Sequence, residues 1–335
     1  MKKWIGLLVF GLMAILVLAA CNDTTKEAEV EVEVEAPQNE EQESDVAAES
    51  ETQSGTKEIT YLGETYTVPE KAARIVITGA MEAMEDATAL NIEPIGAITL
   101  AGEFPEVFKV AMGKAESIGE KQQPNFEKIL ELQPDVILGT TKFPEEVVQK
   151  LEQVATTILV SHISTNWQDN LMLMAQLGDK EEEAKALLAQ YDNDIESVKE
   201  TLVTEFGDDT VMAIRIRGGE MFVYPQDVFF NPSLYNDFGL EVPEVIQKAK
   251  AQEMISVEQL AEVNPDVLFI QVQQSGNQEN EQAYDVLKKN PIIQNITAFK
   301  DDHVYINLVD SLLEGGTVFS KTEFLTALQQ NVLQK

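Results

Sequence analysis

The sequence predicts an α/β fold: two Rossmann-like lobes with parallel-rich sheets, joined by a single long helix, with a cleft between the lobes. Three observations carry this. Short apolar runs rich in Val and Ile alternate with amphipathic stretches, the pattern of parallel strands covered by helices on both faces. A helix–turn–strand unit occurs twice, 131 residues apart. Between the copies, Ala184, Leu187, Leu188, Tyr191, Ile195, Val198 and Leu202 fall at spacings of three and four, one face of a long helix.

The first segment is not part of that fold. Lys2 and Lys3 precede an unbroken run of apolar residues and Gly from Trp4 to Ala20, ending in Leu18-Ala19-Ala20-Cys21. A basic start, an apolar run and small residues before the cleavage point describe a secretory signal. The run falls short of the roughly 20 residues that span a bilayer. A cysteine at the cleavage point makes it a lipobox, so residues 1–21 are expected to be a lipoprotein signal peptide and Cys21 the acylated mature N-terminus. Two acyl chains suffice for stable anchoring. Cys21 is the only cysteine, so no intramolecular disulfide can form.

Residues 22–57 hold 12 acidic and 2 basic residues and repeat Glu-Val through residues 29–35. Such a segment buries too little apolar surface to offset chain entropy, and like charges along one face disfavour a strand. It is expected to be a disordered acidic tether. The remaining 278 residues, 58–335, suffice for two lobes with substantial cores. They carry 46 acidic and 20 basic residues, a net charge of −26. That charge argues against nucleic acid and anionic membrane surfaces as partners. It also means that any anion site must be built locally from clustered cations.

Residues 75–77, 136–138, 158–160, 211–216, 267–272 and 304–306 read as short buried strands. The repeated unit is Phe126-Glu127-Lys128-Ile129-Leu130-Glu131-Leu132-Gln133-Pro134-Asp135-Val136-Ile137-Leu138 and Val257-Glu258-Gln259-Leu260-Ala261-Glu262-Val263-Asn264-Pro265-Asp266-Val267-Leu268-Phe269. In each copy Pro ends the helix and Asp favours the turn. The expected organisation is a first lobe over residues 58–167, a connecting helix over 168–203 and a second lobe over 204–335. A single helix between lobes is a stiff strut, which implies modest rocking rather than wide closure.

The chain resembles the iron–siderophore and cobalamin binding proteins of ABC importers. Gly63-Glu64-Thr65-Tyr66-Thr67-Val68-Pro69 followed by Arg74-Ile75-Val76 looks like the entry to their first lobe. The repeated helix-Pro-Asp-Val units, the connecting helix and His303-Val304-Tyr305 fit as well. The resemblance covers essentially all of residues 58–335. It is closer to the catecholate-siderophore lipoproteins, of bacillibactin or enterobactin type, of Gram-positive bacteria. Gly119-Glu120-Lys121, Thr141-Lys142-Phe143-Pro144, Arg215-Ile216-Arg217-Gly218-Gly219 and Lys248-Ala249-Lys250-Ala251-Gln252-Glu253 carry that closer match. It implies a monomer anchored by lipid to the outer face of the cytoplasmic membrane. That monomer would capture a ferric siderophore and deliver it to an ABC permease. In that family a glutamate on each lobe docks onto permease arginines, and the pattern places these at Glu127 and Glu258.

Ligands of open α/β sheets sit outside the carboxyl ends of the strands. Lys142 lies just past the strand at 136–138, and Arg215 and Arg217 end the strand at 211–216, where period-two spacing puts both on one face. Two neighbouring guanidinium groups repel each other, so a bound anion explains them. Gly218-Gly219 would let a ligand approach closely. Lys121 and Lys250 precede the repeated helix in loops expected to line the same cleft, and Gln252 can add a neutral donor. The five cations suit a ferric tris-catecholate, which carries three negative charges, and Arg can stack on catechol rings. The iron would need no protein ligand, because the catechols fill its coordination sphere. No metal or other cofactor is therefore expected. The histidines are His162 and His303, too few for the His–carboxylate cluster of a bare zinc or manganese site. His303 reads as structural, and His162 as either cleft-lining or packed.

An α/β hydrolase would show Gly-x-Ser-x-Gly and a metalloprotease His-Glu-x-x-His; neither occurs, so no enzyme activity is expected. Binding proteins for hydroxamate or citrate siderophores, haem or cobalamin share the fold. Hydroxamate chelates are less anionic, while haem and cobalamin present large apolar faces, which a cation-rich cleft suits less well. A surface sensor without a transporter would have the same sequence pattern.

Overall fold

The computed structural model describes residues 55–273 and 279–333. A hairpin, β1 (Thr56–Tyr61) and β2 (Glu64–Pro69), leads into the first sheet. There follow β3 (Ile75–Ile77), α1 (Met81–Ala89), β4 (Gly96–Thr99), α2 (Lys109–Met112), β5 (Glu116–Glu120), β6 (Gln123–Pro124), α3 (Phe126–Glu131), β7 (Val136–Thr140), α4 (Glu145–Glu152) and β8 (Thr156–Val160). Two helices, α5 (Trp167–Gly178) and α6 (Glu181–Phe206), lead to the second sheet. It is built by β9 (Val211–Arg217), β10 (Glu220–Val223), α7 (Glu244–Lys248), β11 (Glu253–Met254), α8 (Val257–Val263), β12 (Val267–Val272), α9 (Glu279–Leu287), α10 (Thr297–Lys300) and β13 (Val304–Ile306). Helix α11 (Val318–Asn331) follows.

The strand orders are β6-β5-β4-β3-β7-β8 and β11-β10-β9-β12-β13. In the first sheet β5, β4, β3, β7 and β8 are parallel and β6 is an antiparallel edge. In the second, β9, β12 and β13 are parallel, with β10 and β11 added antiparallel. β3, β7 and β12 are buried throughout, which is why they read as unbroken apolar runs. Each sheet changes direction of growth once: between β3 and β7 in the first, between β9 and β12 in the second. Those two switch points are where a doubly wound sheet opens a crevice at its carboxyl edge.

The repeat is structural to the level of single hydrogen bonds. Asn125 caps α3 by accepting from the Lys128 N–H, and Ser256 caps α8 by accepting from the Gln259 N–H. Each helix ends at a left-handed residue, Gln133 (φ 46°) or Asn264 (φ 50°). Asp135 then accepts from the Arg74 N–H and Asp266 from the Thr210 N–H, both at 2.9 Å. Each carboxylate ties the entry of β7 or β12 to the start of the neighbouring strand.

The expected connecting helix at 168–203 is two helices. Asp179 is left-handed (φ 54°) and breaks the stretch, and a Cβ on Gly178 would lie 2.4 Å from Ile92 Cδ1, so α5 must pass close to the first lobe before the chain turns. The apolar stripe from Ala184 to Leu202 belongs to α6 alone. Of the expected tether, Thr56 and Lys57 are already in β1, where Lys57 donates to the Gln176 carbonyl and pairs with Asp179. Cys21 and the signal segment lie outside the described residues, as do residues 22–54 of the tether.

Helix α11 touches both lobes. Phe324 packs against Phe230, Phe238 and Phe269 of the second lobe at centroid distances of 4.9, 6.1 and 5.3 Å. Lys321 is fully buried, paired with Asp237 at 2.5 Å and held over the rings of Trp167 and Tyr191. Burial lowers its pKa, against the pull of Asp237. Toward the first lobe, the Glu85 carboxylate of α1 accepts from the Glu314 N–H at 2.8 Å and from the Thr317 and Ser320 hydroxyls. Beside it, Asp86 is buried with neither oxygen hydrogen-bonded, and burial, with the charges of Glu85 and Glu82, raises its pKa well above the ordinary carboxylate value.

Burial likewise pushes the Glu85 carboxyl up from 4.5 to about 7, despite its three hydrogen bonds. A carboxyl raised in the folded state stabilises the protein below its unfolded value, and that contribution is lost as the pH climbs through the folded value. The loss is on the order of 3 kcal/mol for this group. Thermal unfolding of the wild type should therefore give a falling Tm between about pH 5 and pH 8, and Glu85→Gln should flatten that slope. A Glu85→Gln profile parallel to the wild type would show that Glu85 is already ionised.

Candidate ligand-binding cleft

The two switch points face a common cavity of about 380 Å3. At the first, the chain leaves β3 through Gly79 (φ +75°), where a Cβ would collide with the Phe143 ring at 2.3 Å. This close approach delivers Glu82 on the first turn of α1, while β7 delivers Lys142. At the second, β9 delivers Arg215 and Arg217, and Gln273 follows directly on β12. The tip of the β5–β6 hairpin adds Lys121, and the loop before β11 adds Lys250 and Gln252. All six residues expected at the cleft, Lys121, Lys142, Arg215, Arg217, Lys250 and Gln252, line this one cavity. His162 lines it too, with Nδ1 2.7 Å from Thr141 Oγ1; burial and the nearby Lys142 lower its pKa. Gly218 and Gly219 do not reach the cavity. Their φ values of +57° and +79° make the two-residue turn joining β9 to β10, where Arg217 faces Glu220.

The cations differ in how firmly they are held. Arg215 is buried, donates to Gln271 Oε1 at 2.5 Å and to the Leu313 carbonyl, and lies 4.6 Å from the Phe229 ring centre. It is a fixed guanidinium stacked on an aromatic face. Arg217 and Lys250 are exposed, and their side chains form no ion pair among the described residues. Tyr224 donates to Gln252 Oε1 at 3.1 Å, orienting that amide.

Three carboxylates at the cleft, Glu314, Glu82 and Asp227, are not among the residues expected there. Glu314 pairs with Lys121 at 2.8 Å and stands 3.6 Å from Arg215. Glu82 is buried, 3.6 Å from Lys142, with its second oxygen unpartnered. For Glu314, burial works to raise the pKa, but Lys121, Arg215 and Lys142 outweigh it and hold the group well below the carboxylate range. For Glu82 burial wins over Lys142, and the charge of Glu314 adds to the rise. Burial acts to lower the Lys121 pKa, yet Glu314 and Glu82 hold it above the ordinary value. Lys121 and Glu314 are thus a charged pair. Asp227 also lines the cavity, so five cations face three carboxylates. The cleft is locally positive in a chain of net charge −34. A faint signal for Glu314 existed in its place before Gly315-Gly316. Glu82, Glu85 and Asp86 instead look like the wet face of an ordinary helix.

Glu127 and Glu258 stand apart from the cavity, exposed in the first turns of α3 and α8 at corresponding points of the repeat.

A family model described as periplasmic binding protein matches residues 100–307. The iron-uptake system-binding protein of Bacillus subtilis (strain 168) is 44% identical over 334 residues, 100% of both chains. The probable siderophore-binding lipoprotein YfiY of the same organism is 28% identical, covering 91% of this chain and 90% of its own. Among solved structures, that of the triscatecholate siderophore binding protein FeuA from Bacillus subtilis, complexed with ferri-bacillibactin, matches with a TM-score of 0.80 and 48% identity, over 83% of this chain and 99% of FeuA. Two switch-point sheets facing one cleft, and these matches across most of the chain, have a single reading: the chain belongs to the periplasmic binding protein family.

Proposed function

We propose that this protein captures a ferric siderophore of the tris-catecholate class in the cleft and presents it to the permease of an ABC importer for iron uptake. The observation that carries the reading is the convergence of Lys121, Lys142, Arg215, Arg217 and Lys250 on one cavity. The likeness to a triscatecholate binder at 48% identity supports it. Arg215 supplies a pre-oriented stacking and charge contact beneath the ligand. Lys142, Arg217 and Lys250, more exposed, meet its outer oxygens. The catechols hold the iron, so the protein's part is charge, shape and orientation, without turnover. Glu127 and Glu258 are the permease contacts in this reading, and a lipid on Cys21 holds the monomer at the outer face of the membrane.

A charge-assisted hydrogen bond contributes ~1.5–3 kcal/mol, and a solvent-exposed partner sits at the lower end. Arg217→Ala should therefore weaken ferri-bacillibactin binding by about tenfold in a fluorescence titration, with an unchanged Tm. Adding Lys250→Ala should weaken it further, while neutral ferrichrome responds little. Wild-type affinity in the folded double variant would refute the site.

Glu127→Lys or Glu258→Lys should abolish or sharply reduce uptake of radiolabelled ferric siderophore by cells while leaving affinity in solution unchanged. Variants that lose binding yet still support uptake would refute the docking role.

Cys21→Ala should leave unprocessed precursor or shed the protein into the medium. Normal processing and detergent-phase partitioning of that variant would refute the lipid anchor.

A further inference from the structure

The cleft already contains an anion. The Glu314 carboxylate reaches Lys121 of the β5–β6 hairpin with one oxygen and approaches Arg215 of β9 with the other. It thereby joins the two lobes across the cavity. Its position is built rather than incidental. The Glu314 N–H is anchored on Glu85 Oε1 at 2.8 Å, and the Gly315 N–H donates to the Ser320 hydroxyl. The preceding carbonyl, of Leu313, accepts from both Arg215 and Gln271. Gly315 (φ +79°) leaves no room for a Cβ, which would lie 2.7 Å from the Phe229 backbone. The backbone therefore presents this side chain to the cavity from one fixed point. A carboxylate placed only to neutralise Arg215 would not need to span to the other lobe.

We propose that Glu314 is an intrinsic competitor of the ligand: a tethered carboxylate that occupies part of the cation cluster when the cleft is empty, and that an incoming polyanion must displace from Lys121 and Arg215. This deepens the tris-catecholate reading and rests on it. Two consequences follow from charge alone. With no ligand, Glu314 screens the mutual repulsion of Lys121 and Arg215 and latches the lobes. With ligand bound, the displaced carboxylate lies beside a trianion, and such like-charge juxtaposition is unfavourable. Glu314 thus weakens binding and speeds release, as a protein that must surrender its cargo requires. Affinity alone would be better served by Gln, which can accept from Lys121 without carrying charge.

The test is stopped-flow and equilibrium fluorescence with ferri-bacillibactin on the wild type, Glu314→Gln, Glu314→Ala and Glu314→Asp, with melting curves for each. Glu314→Gln and Glu314→Ala should bind more tightly, by roughly tenfold and at least about threefold, through slower dissociation. Glu314→Asp, which keeps the charge, should stay near the wild type. Neutral ferrichrome should not gain in the same way. The two charge-removing variants leave the Glu314 N–H to Glu85 in place, so either one that melts like the wild type suffices. Equal or weaker ferri-bacillibactin binding by a folded Glu314→Gln or Glu314→Ala would overturn the proposal, because Glu314 would then only position its cations. A wild type that does not bind ferri-bacillibactin at all would instead sink the functional reading on which the proposal stands.

Discussion

Gathering five cations at one partly desolvated cavity is unfavourable in itself, and the architecture of this protein is arranged around that constraint. Like charges at short range need counter-charge, fixed spacing or a bound anion. The first two are built into the cleft, and the third is the part of the proposed ligand. Glu314 supplies counter-charge to Lys121 and Arg215, while Glu82 lies 3.6 Å from Lys142 in the other lobe. Arg215 is locked by Gln271, the Leu313 carbonyl and the Phe229 ring. Arg217 and Lys250 remain without side-chain ion pairs among the described residues. A fixed inner cation and exposed outer ones fit a ligand with charge spread over its surface.

The cleft and the lobe junction are one electrostatic system. Residues 314–320 run from the cavity to the start of α11, and their polar groups converge on Glu85 of α1. Glu82 of the same helix faces the cavity, and Asp86 is buried behind it. Three acids on one helix, each with its pKa raised by burial, concentrate proton-binding capacity where the lobes meet. Lys321 adds a buried cation at the far side of the junction, neutralised by Asp237. Movement of the lobes must therefore keep or exchange buried polar contacts, which favours a few defined arrangements over free swinging.

Much of this was legible in the sequence because it rests on backbone rules. The strands at 75–77, 267–272 and 304–306 stand out as apolar runs, and the structure places strands at those positions. The repeat showed through Pro134-Asp135 and Pro265-Asp266, whose carboxylates perform the same bond in each lobe. The cations of the cleft were legible because basic residues are scarce in so acidic a chain. The short strands β4, β5, β6, β10 and β11 were missed, since Gly96–Thr99 or Glu253–Met254 carries no period long enough to register. The break at Asp179 was missed because the stripe that begins at Ala184 was extended backward across it. Glu82, Glu85 and Asp86 were missed for a deeper reason. In isolation an acid on a short helix is a solvent-facing residue, and only the packing of α1 against the rest of the fold, α5 and α11 included, buries these three.

The central claim is that ligand charge, balanced against cations in the cleft, sets recognition. The most direct measurement is calorimetric titration of the wild-type protein with ferric chelates of similar size and different charge, from a trianionic tris-catecholate to a neutral tris-hydroxamate, repeated from low to high salt. The account predicts affinity that rises with ligand negative charge, and a gap between the chelates that narrows as salt screens the cleft. Equal affinity for neutral and trianionic chelates at every salt concentration would contradict it.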